Sequence, residues 1–549
     1  MRALTIPSEK NQPSKSLLAQ CAKEIEHGTI SATLKAMQTD LRNLLNDNRT
    51  WMALMFIIVA GFFTYAFNFA SPAALFWDEN YHIASAQKYL NGTYFMEPHP
   101  PLGKLLIALG EKLTHANPVN NQFIDTDYAK DPPMGFSFVG YRLIPTLLAW
   151  WTAPLLFFVF LFLTRKILWS LLFTFPYLFD NALIVHARSA MLESTMLFFA
   201  VVNILAFLMI LEGKNDRGKF LSASILFGIA FACLLATKAF GLIMILLVPL
   251  LLWKLFPDWK KIARFLVPAF LSFVVVYCGI WQIHFSLGSK INPKLPGNNK
   301  NIYTPSDGYY QASKEYYAIL NSHTNGSLLN FPVMLRDSLA FVTHYQRGVP
   351  RLNLCKADEN GSPWFLWPIG ARSINYRWAT NSDAYQYLYL QSNPVVWFVA
   401  FGAVLLAIML LASSVLVQSA QKLKNPFLLF SFTTLYICFM IAVAQITRVM
   451  YLYHYFLPLV LCFIVLALVW NEIDVIGKYR LTEARKTHIL LALGIAIFLS
   501  FQFYRPLSYY TTIDDIDFQK RSIIRMWDLK CVRCKDDNPL VIPGSGTNS

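Results

Sequence analysis

Runs of about twenty apolar residues decide what this chain can become. In hydrocarbon every main-chain N–H and C=O must find a partner inside the segment, so such runs fold as transmembrane helices. About eleven can be read: Trp51–Ala70, Tyr141–Leu163, Ile167–Ile184, Ala190–Leu211, Phe220–Ala236, Phe240–Trp253, Phe265–Ile283, Pro394–Val417, Phe427–Ile446, Tyr451–Trp470 and Ile489–Tyr504. Ile167–Ile184 fits least well, because it holds Pro176 and Asp180. Composition agrees. Of 549 residues, 55% are hydrophobic and 14% charged, against roughly 25% charged in a soluble domain. One large core cannot absorb the difference, since cores stop growing near ~250–300 residues. The expected fold class is an all-α polytopic membrane protein.

The net charge of +15 would point to nucleic acid in a soluble protein. Here the cations sit in short segments between apolar runs, so topology and anionic lipid are the better reading, and no nucleic acid is expected. Five connections are basic: Arg165-Lys166, Lys214/Arg217/Lys219, Lys254/Lys260/Lys261/Arg264, Lys422/Lys424 and Lys478/Arg480/Arg485/Lys486. With eleven spans all five fall on one side, which is then cytoplasmic. Residues 1–50 read as a cytoplasmic tail, with an amphipathic helix around Ile30–Leu45 and no signal-peptide pattern. Residues 51–283 form an N-terminal transmembrane module carrying a first external loop at 71–140. A second external loop occupies 284–393, C-terminal helices occupy 394–504, and 505–549 is an external tail. The second loop is Asn-, Tyr- and Ser-rich and is expected to be irregular. Cys531 and Cys534 form a CxxC on the oxidising side, read as thiols or a disulfide; a full zinc site needs four ligands, and no second pair exists.

Chemistry is expected in the first external loop, where Asp78-Glu79 follows the first span directly. Pro100–Leu113 carries Leu102, Leu105, Leu106, Leu109 and Leu113 at helical spacing. It is too short to cross and is placed in the interface. An ionised aspartate held against a hydroxyl can serve as a general base. An aspartate opening a helix can equally cap its free N–H groups, and on this loop alone the cap is the stronger reading. Arg188, Lys238 and Arg448 stand nearly alone at the external ends of spans. Each could snorkel to the interface. Together, facing an acidic loop, they favour a shared anion site that a lipid phosphate would fit.

These elements resemble the protein O-mannosyltransferase family of the GT-C superfamily of lipid-donor glycosyltransferases. FWDENYHIASAQKYLNGTYFMEPHPPLGKLL is similar to the family's acidic-pair loop. YRLIP at Tyr141–Pro145, FDNALIVHARSAMLEST at Phe179–Thr195, LLATKAFGL, SPWFLWPIGARSINY at Ser362–Tyr376, RVMYLYHYFLP at Arg448–Pro458 and FYRPLSY follow in the family's order. There are departures. Glu193 stands where the family often has Asp, and no β-trefoil (MIR) domain of the eukaryotic members can be read, which makes the chain look bacterial or archaeal.

The resemblance implies transfer of mannose from a polyprenyl (dolichyl-type) phosphate to Ser or Thr of a protein, by a single inverting displacement. It implies Asp78 as base and Glu79 as the residue orienting a substrate. Arg142 and Arg188 would position the donor phosphate or hold the acidic loop, with Lys238 and Arg448 as further phosphate ligands. His99, Lys104, Asp180, Trp364 and His454 are pocket candidates. No metal site and no cofactor are required, although a divalent cation is compatible. The expected partners are the lipid-linked sugar, a Ser/Thr-containing acceptor protein and the bilayer, with a dimer left open. The expected location is a bacterial inner membrane, with the site on the extracytoplasmic face. The rival reading is a GT-C enzyme acting on lipid A or a cell-wall glycan, like the aminoarabinose transferases, which share the acidic first loop. A transporter would need polar residues paired inside its spans; here they gather at span ends.

Overall fold

A computed structural model describes residues 41–295, 312–356, 359–381, 384–417 and 422–532. The helix expected around Ile30–Leu45 lies mostly outside them. The chain divides into two compact units, Met1–Met52 and Ala53–Ser549. Everything below concerns the second, apart from the opening turns of the first span.

Nine helices among the described residues are long and apolar enough to cross a membrane, or ten if a bent pair counts as one span. The expected segment Ile167–Ile184 is that pair. Helix α5 (Ile167–Leu178) and α6 (Asn181–Ala187) meet at 64°. Asp180 makes the break by capping α6, accepting a hydrogen bond from Leu183 N at 2.9 Å. The segment expected at Phe240–Trp253 is a shorter apolar helix, α9 (Ala239–Leu255), that begins as a 3₁₀ turn. The expected eleven spans therefore reduce to nine or ten by length and composition.

The bundle is organised around the span α15 (Leu452–Glu472), whose apolar window is entirely buried. A helix that is hydrophobic all round belongs inside. Around it pack α4 (Val139–Thr164), α5, α7 (Glu193–Gly213), α13 (Pro394–Leu416) and α14 (Pro426–Ala444). Helices α8 (Arg217–Leu235) and α10 (Trp259–Leu287) extend the wall beyond α7, and α16 (Glu483–Ser508) lies along α5.

The first span, α1 (Asn48–Gly61), ends in a π-turn at Phe62–Ala66. The chain then runs to α2 (Glu79–Asn91) and α3 (Leu102–Thr114), which pack on each other, and α3 packs on α4. Gly92 closes α2 at φ +69°, a left-handed turn in which its N–H reaches the carbonyls of Lys88 and Tyr89. Helices α3 and α4 cross closely through two glycines: a Cβ on Gly110 would lie 2.3 Å from the Gly140 carbonyl oxygen.

The second external segment is ordered where it is described, contrary to the irregular structure expected. Helices α11 (Lys314–Asn321) and α12 (Phe331–Gly348) bury Tyr316, Leu320, Met334 and Phe341 against Trp281 and Phe285. Strands β1 (Ile374–Asn381) and β2 (Ala384–Leu390) pair antiparallel, and β3 (Thr512–Ile513) adds to β2. That sheet is sealed by Phe518, Trp527 and Leu529 of the C-terminal segment. Cys531 is disulfide-bonded; Cys534 lies outside the described residues. Composition hid this order because tyrosines supply much of the buried surface, and tyrosine reads as polar in a loop.

Candidate active site

Asp78 stands at the N-cap position of α2, yet its side chain caps no backbone N–H. Its Oδ2 instead accepts a hydrogen bond from the Tyr453 hydroxyl at 2.8 Å. The helix-cap alternative is not realised. Trp77, the residue before it, holds a left-handed φ of +53°, a conformation that costs a bulky side chain energy and survives only where surroundings fix it. Those surroundings are aromatic: Trp77 stacks on Tyr376 at 5.2 Å and meets Tyr451 edge-on at 5.2 Å. Asp78 is thus aimed by its neighbours and not by helix capping.

Asp78 lines a cavity of about 280 Å³ together with Lys238, Arg448, His99, Lys104 and His454. Burial pushes the Asp78 carboxyl above the ordinary carboxylate range, and the Tyr453 hydrogen bond and Lys238 oppose that rise. Burial, with Lys238 and Lys104 nearby, pushes His99 down to about 3, so it is neutral near pH 7. Lys104 is held by Glu97 at 2.5 Å, and Lys238 pairs with Glu193. Arg448 makes no ion pair among the described residues, and it donates only a long hydrogen bond to the Val449 carbonyl, 3.3 Å. Burial pulls its guanidinium below its ordinary value. Of the cavity's cations it is the one whose charge is uncommitted.

The other expected residues lie elsewhere. Glu79 is fully buried, and Arg142 binds both of its oxygens, Nη2 to Oε1 at 2.6 Å and Nε to Oε2 at 3.1 Å. Arg142 also donates to the carbonyls of Ala70 and Pro72 at 2.7 Å and of Ala74 at 2.8 Å. A guanidinium has five N–H donors, and here all five are used. Arg188 donates to the carbonyls of Phe67 at 2.9 Å and Asn68 at 2.7 Å, with Tyr509 stacked under it at 4.7 Å. Neither arginine lines the cavity; both hold the strand of chain that delivers Asp78. Asp180 accepts from the Trp397 indole at 2.8 Å and Asn393 N at 3.2 Å, joining the bent pair to α13. Trp364 also lies off the cavity. It is Trp367, three residues on, that stacks on His454.

Several cavity residues were not singled out from sequence. Sequence singles out His454 and not Tyr453 beside it. His82 points Nδ1 at the Ala190 carbonyl, 2.7 Å, so that nitrogen carries the proton. Glu193 was noticed only as a departure, yet it joins Lys238 to His186 (2.7 Å), and His186 reaches the Tyr376 hydroxyl at 2.7 Å. His186 also stacks on Tyr453 at 4.9 Å. The signal available was the density of polar residues between His186 and Thr195, six in ten, too many for a lipid-facing segment. Among the described residues no group of three or more His, Cys, Asp or Glu gathers as a metal site would need.

The described residues form a largely helical membrane bundle with an acidic first loop folded into a cation-lined cavity, as the resemblance to lipid-donor glycosyltransferases implies. A family model described as dolichyl-phosphate-mannose-protein mannosyltransferase matches residues 55–291, and one for the C-terminal four-helix region of protein-O-mannosyltransferase matches 339–527. Together they span most of the chain, which belongs to the protein O-mannosyltransferase family. Protein O-mannosyl-transferase 2 of Drosophila pseudoobscura pseudoobscura is 26% identical over 302 residues, 52% of this chain and 38% of the relative. Dolichyl-phosphate-mannose–protein mannosyltransferase 4 of Schizosaccharomyces pombe is 32% identical over 152 residues, 27% of this chain and 19% of the relative. The chain thus spans little more than a third of the first of these relatives. The fold is similar to that of the Saccharomyces cerevisiae protein O-mannosyltransferase Pmt1-Pmt2 complex bound to the sugar donor, with a TM-score of 0.73 at 14% identity, over 90% of this chain and 94% of that one.

Proposed function

We propose that this protein transfers mannose from a polyprenyl-phosphate carrier to Ser or Thr hydroxyls of proteins, on the side of the membrane where Asp78 lies. The observation that carries the reading is Asp78 itself: a carboxylate free of any capping role, in a cavity shared with the uncommitted Arg448. Asp78 takes the hydroxyl proton as the acceptor oxygen attacks the sugar's anomeric carbon. The bond to the phosphate breaks, the phosphate leaves with the electron pair, and the centre inverts. Negative charge grows on the departing phosphate, where Arg448 and Lys238, both lining the cavity, can meet it. Because phosphate already leaves readily, the step needs no metal. Glu79 supports the loop through Arg142 and does not touch a substrate. Counting the bent pair and the short apolar helix Ala239–Leu255 as crossings, all five basic loops share one face, which favours a cytoplasmic N-terminus and an extracytoplasmic site; the unreadable β-trefoil favours a bacterial inner membrane. The solved relative is a two-chain complex; a dimer is compatible with the transfer step and not required by it.

The test supplies purified protein with polyprenyl-phosphate-mannose and a Ser/Thr-rich peptide. Wild type is expected to mannosylate the peptide with inversion, and Asp78→Asn to lose about 10²–10⁴-fold in rate, the worth of a general base. Equal rates would remove Asp78 from the chemistry. Transfer to lipid A with none to peptide would favour the rival acceptor.

A further inference from the structure

On another face of the bundle a groove of about 690 Å³ runs between α1, α5 and α16. It is lined almost wholly by apolar side chains, among them Phe63, Phe175 and Phe498. Its volume is within the ~300–1,000 Å³ of sites that enclose small molecules. Ile495, 61% exposed, and Phe63, 59% exposed, leave it open on the lipid-facing side. Gly494 keeps its floor low, where a Cβ would press on Leu172 and Phe175 at 3.3 Å.

Polarity appears at one end only. There the groove reaches Thr64, Gln502, Arg505 and Tyr509. Arg505 is exposed, stacks over Tyr509 at 5.5 Å, and has no ion pair among the described residues. A cation at the mouth of an otherwise apolar channel matches one ligand chemistry, a hydrocarbon chain ending in a phosphate. The same end is structurally engaged: the Tyr509 hydroxyl donates to the Thr64 carbonyl at 2.8 Å, within the π-turn that Arg188 also holds.

We infer that this groove is a binding site for an anionic glycerophospholipid, with one acyl chain along Phe63, Phe175 and Phe498 and the phosphate on Arg505. A phospholipid seated there would brace the exit of the first span, just before the loop that carries Asp78.

The experiment uses the full chain in mild detergent and reads lipid by native mass spectrometry, before and after delipidation and titration with dioleoylphosphatidylglycerol. Wild type is expected to retain one phospholipid and to rebind the probe. Arg505→Ala should bind about five-fold more weakly, the worth of one arginine at an anionic lipid surface. Ile495→Trp, which fills the groove from its open side, should abolish the bound species. Both positions are exposed, and unchanged unfolding midpoints would exclude misfolding. Equal binding by all three proteins overturns the proposal. So does a retained polyprenyl phosphate lost in Ile495→Trp, which would give the groove to the sugar carrier. Neither outcome depends on sugar transfer.

Discussion

Asp78 and Tyr453 form the smallest unit with a measurable consequence. The Tyr453 hydroxyl stabilises the charged carboxylate, while burial opposes it. Removing the hydroxyl therefore raises the carboxyl's pKa further. A base works only when deprotonated, so the acidic limb of kcat/KM should move to higher pH in Tyr453→Phe, by about one unit for one hydrogen bond to a charged group. A pH–rate profile of both proteins checks this; an unmoved limb would separate Tyr453 from the base. Arg142 makes a different case. Arg142→Ala leaves Glu79 buried without its partner, which costs roughly 3–5 kcal/mol. Arg142→Lys should rescue little, since lysine offers three donors in place of five. Unfolding in detergent measures both. Asp78, which lines the cavity, was legible in sequence because its position just after a span is local. Tyr453 was invisible, lying 375 residues away. So was the work of Glu193, which depends on Lys238 being folded onto it.

Among elements, the long spans were legible because each is a continuous apolar run whose length alone demands a helix. Ile167–Ile184 was the weak reading for the reason that proved real: Asp180 is a helix cap between two halves. The ordered external segment was less legible, because pairs such as Tyr385 with Ile513 join strands from opposite ends of the last four spans. The α3–α4 crossing is also a product of pairing, and it carries its own prediction. In Gly110→Ala the new methyl meets the Gly140 carbonyl oxygen, so α3 must shift from α4. The expected cost is about 1–3 kcal/mol of stability, with lowered transfer because α3 also carries Lys104. An unchanged unfolding midpoint would mean that the helices have room the glycines do not suggest.

At the scale of the whole molecule, orientation rests on the basic loops. Single-cysteine variants of an otherwise cysteine-free chain can test it with an impermeant thiol reagent on intact cells. Met134→Cys, fully exposed on the first external loop, should label from outside; Lys260→Cys should label only after permeabilisation. The reverse pattern would invert the protein. Arg142 and Arg188 grip the chain leading to Asp78 by its carbonyl oxygens, and a carbonyl is common to all twenty amino acids. The anchorage is therefore blind to side-chain identity. Exposed positions there, such as Phe67 and Ala73, are free to drift, and a lineage could retune what this stretch touches without unseating the carboxylate it delivers.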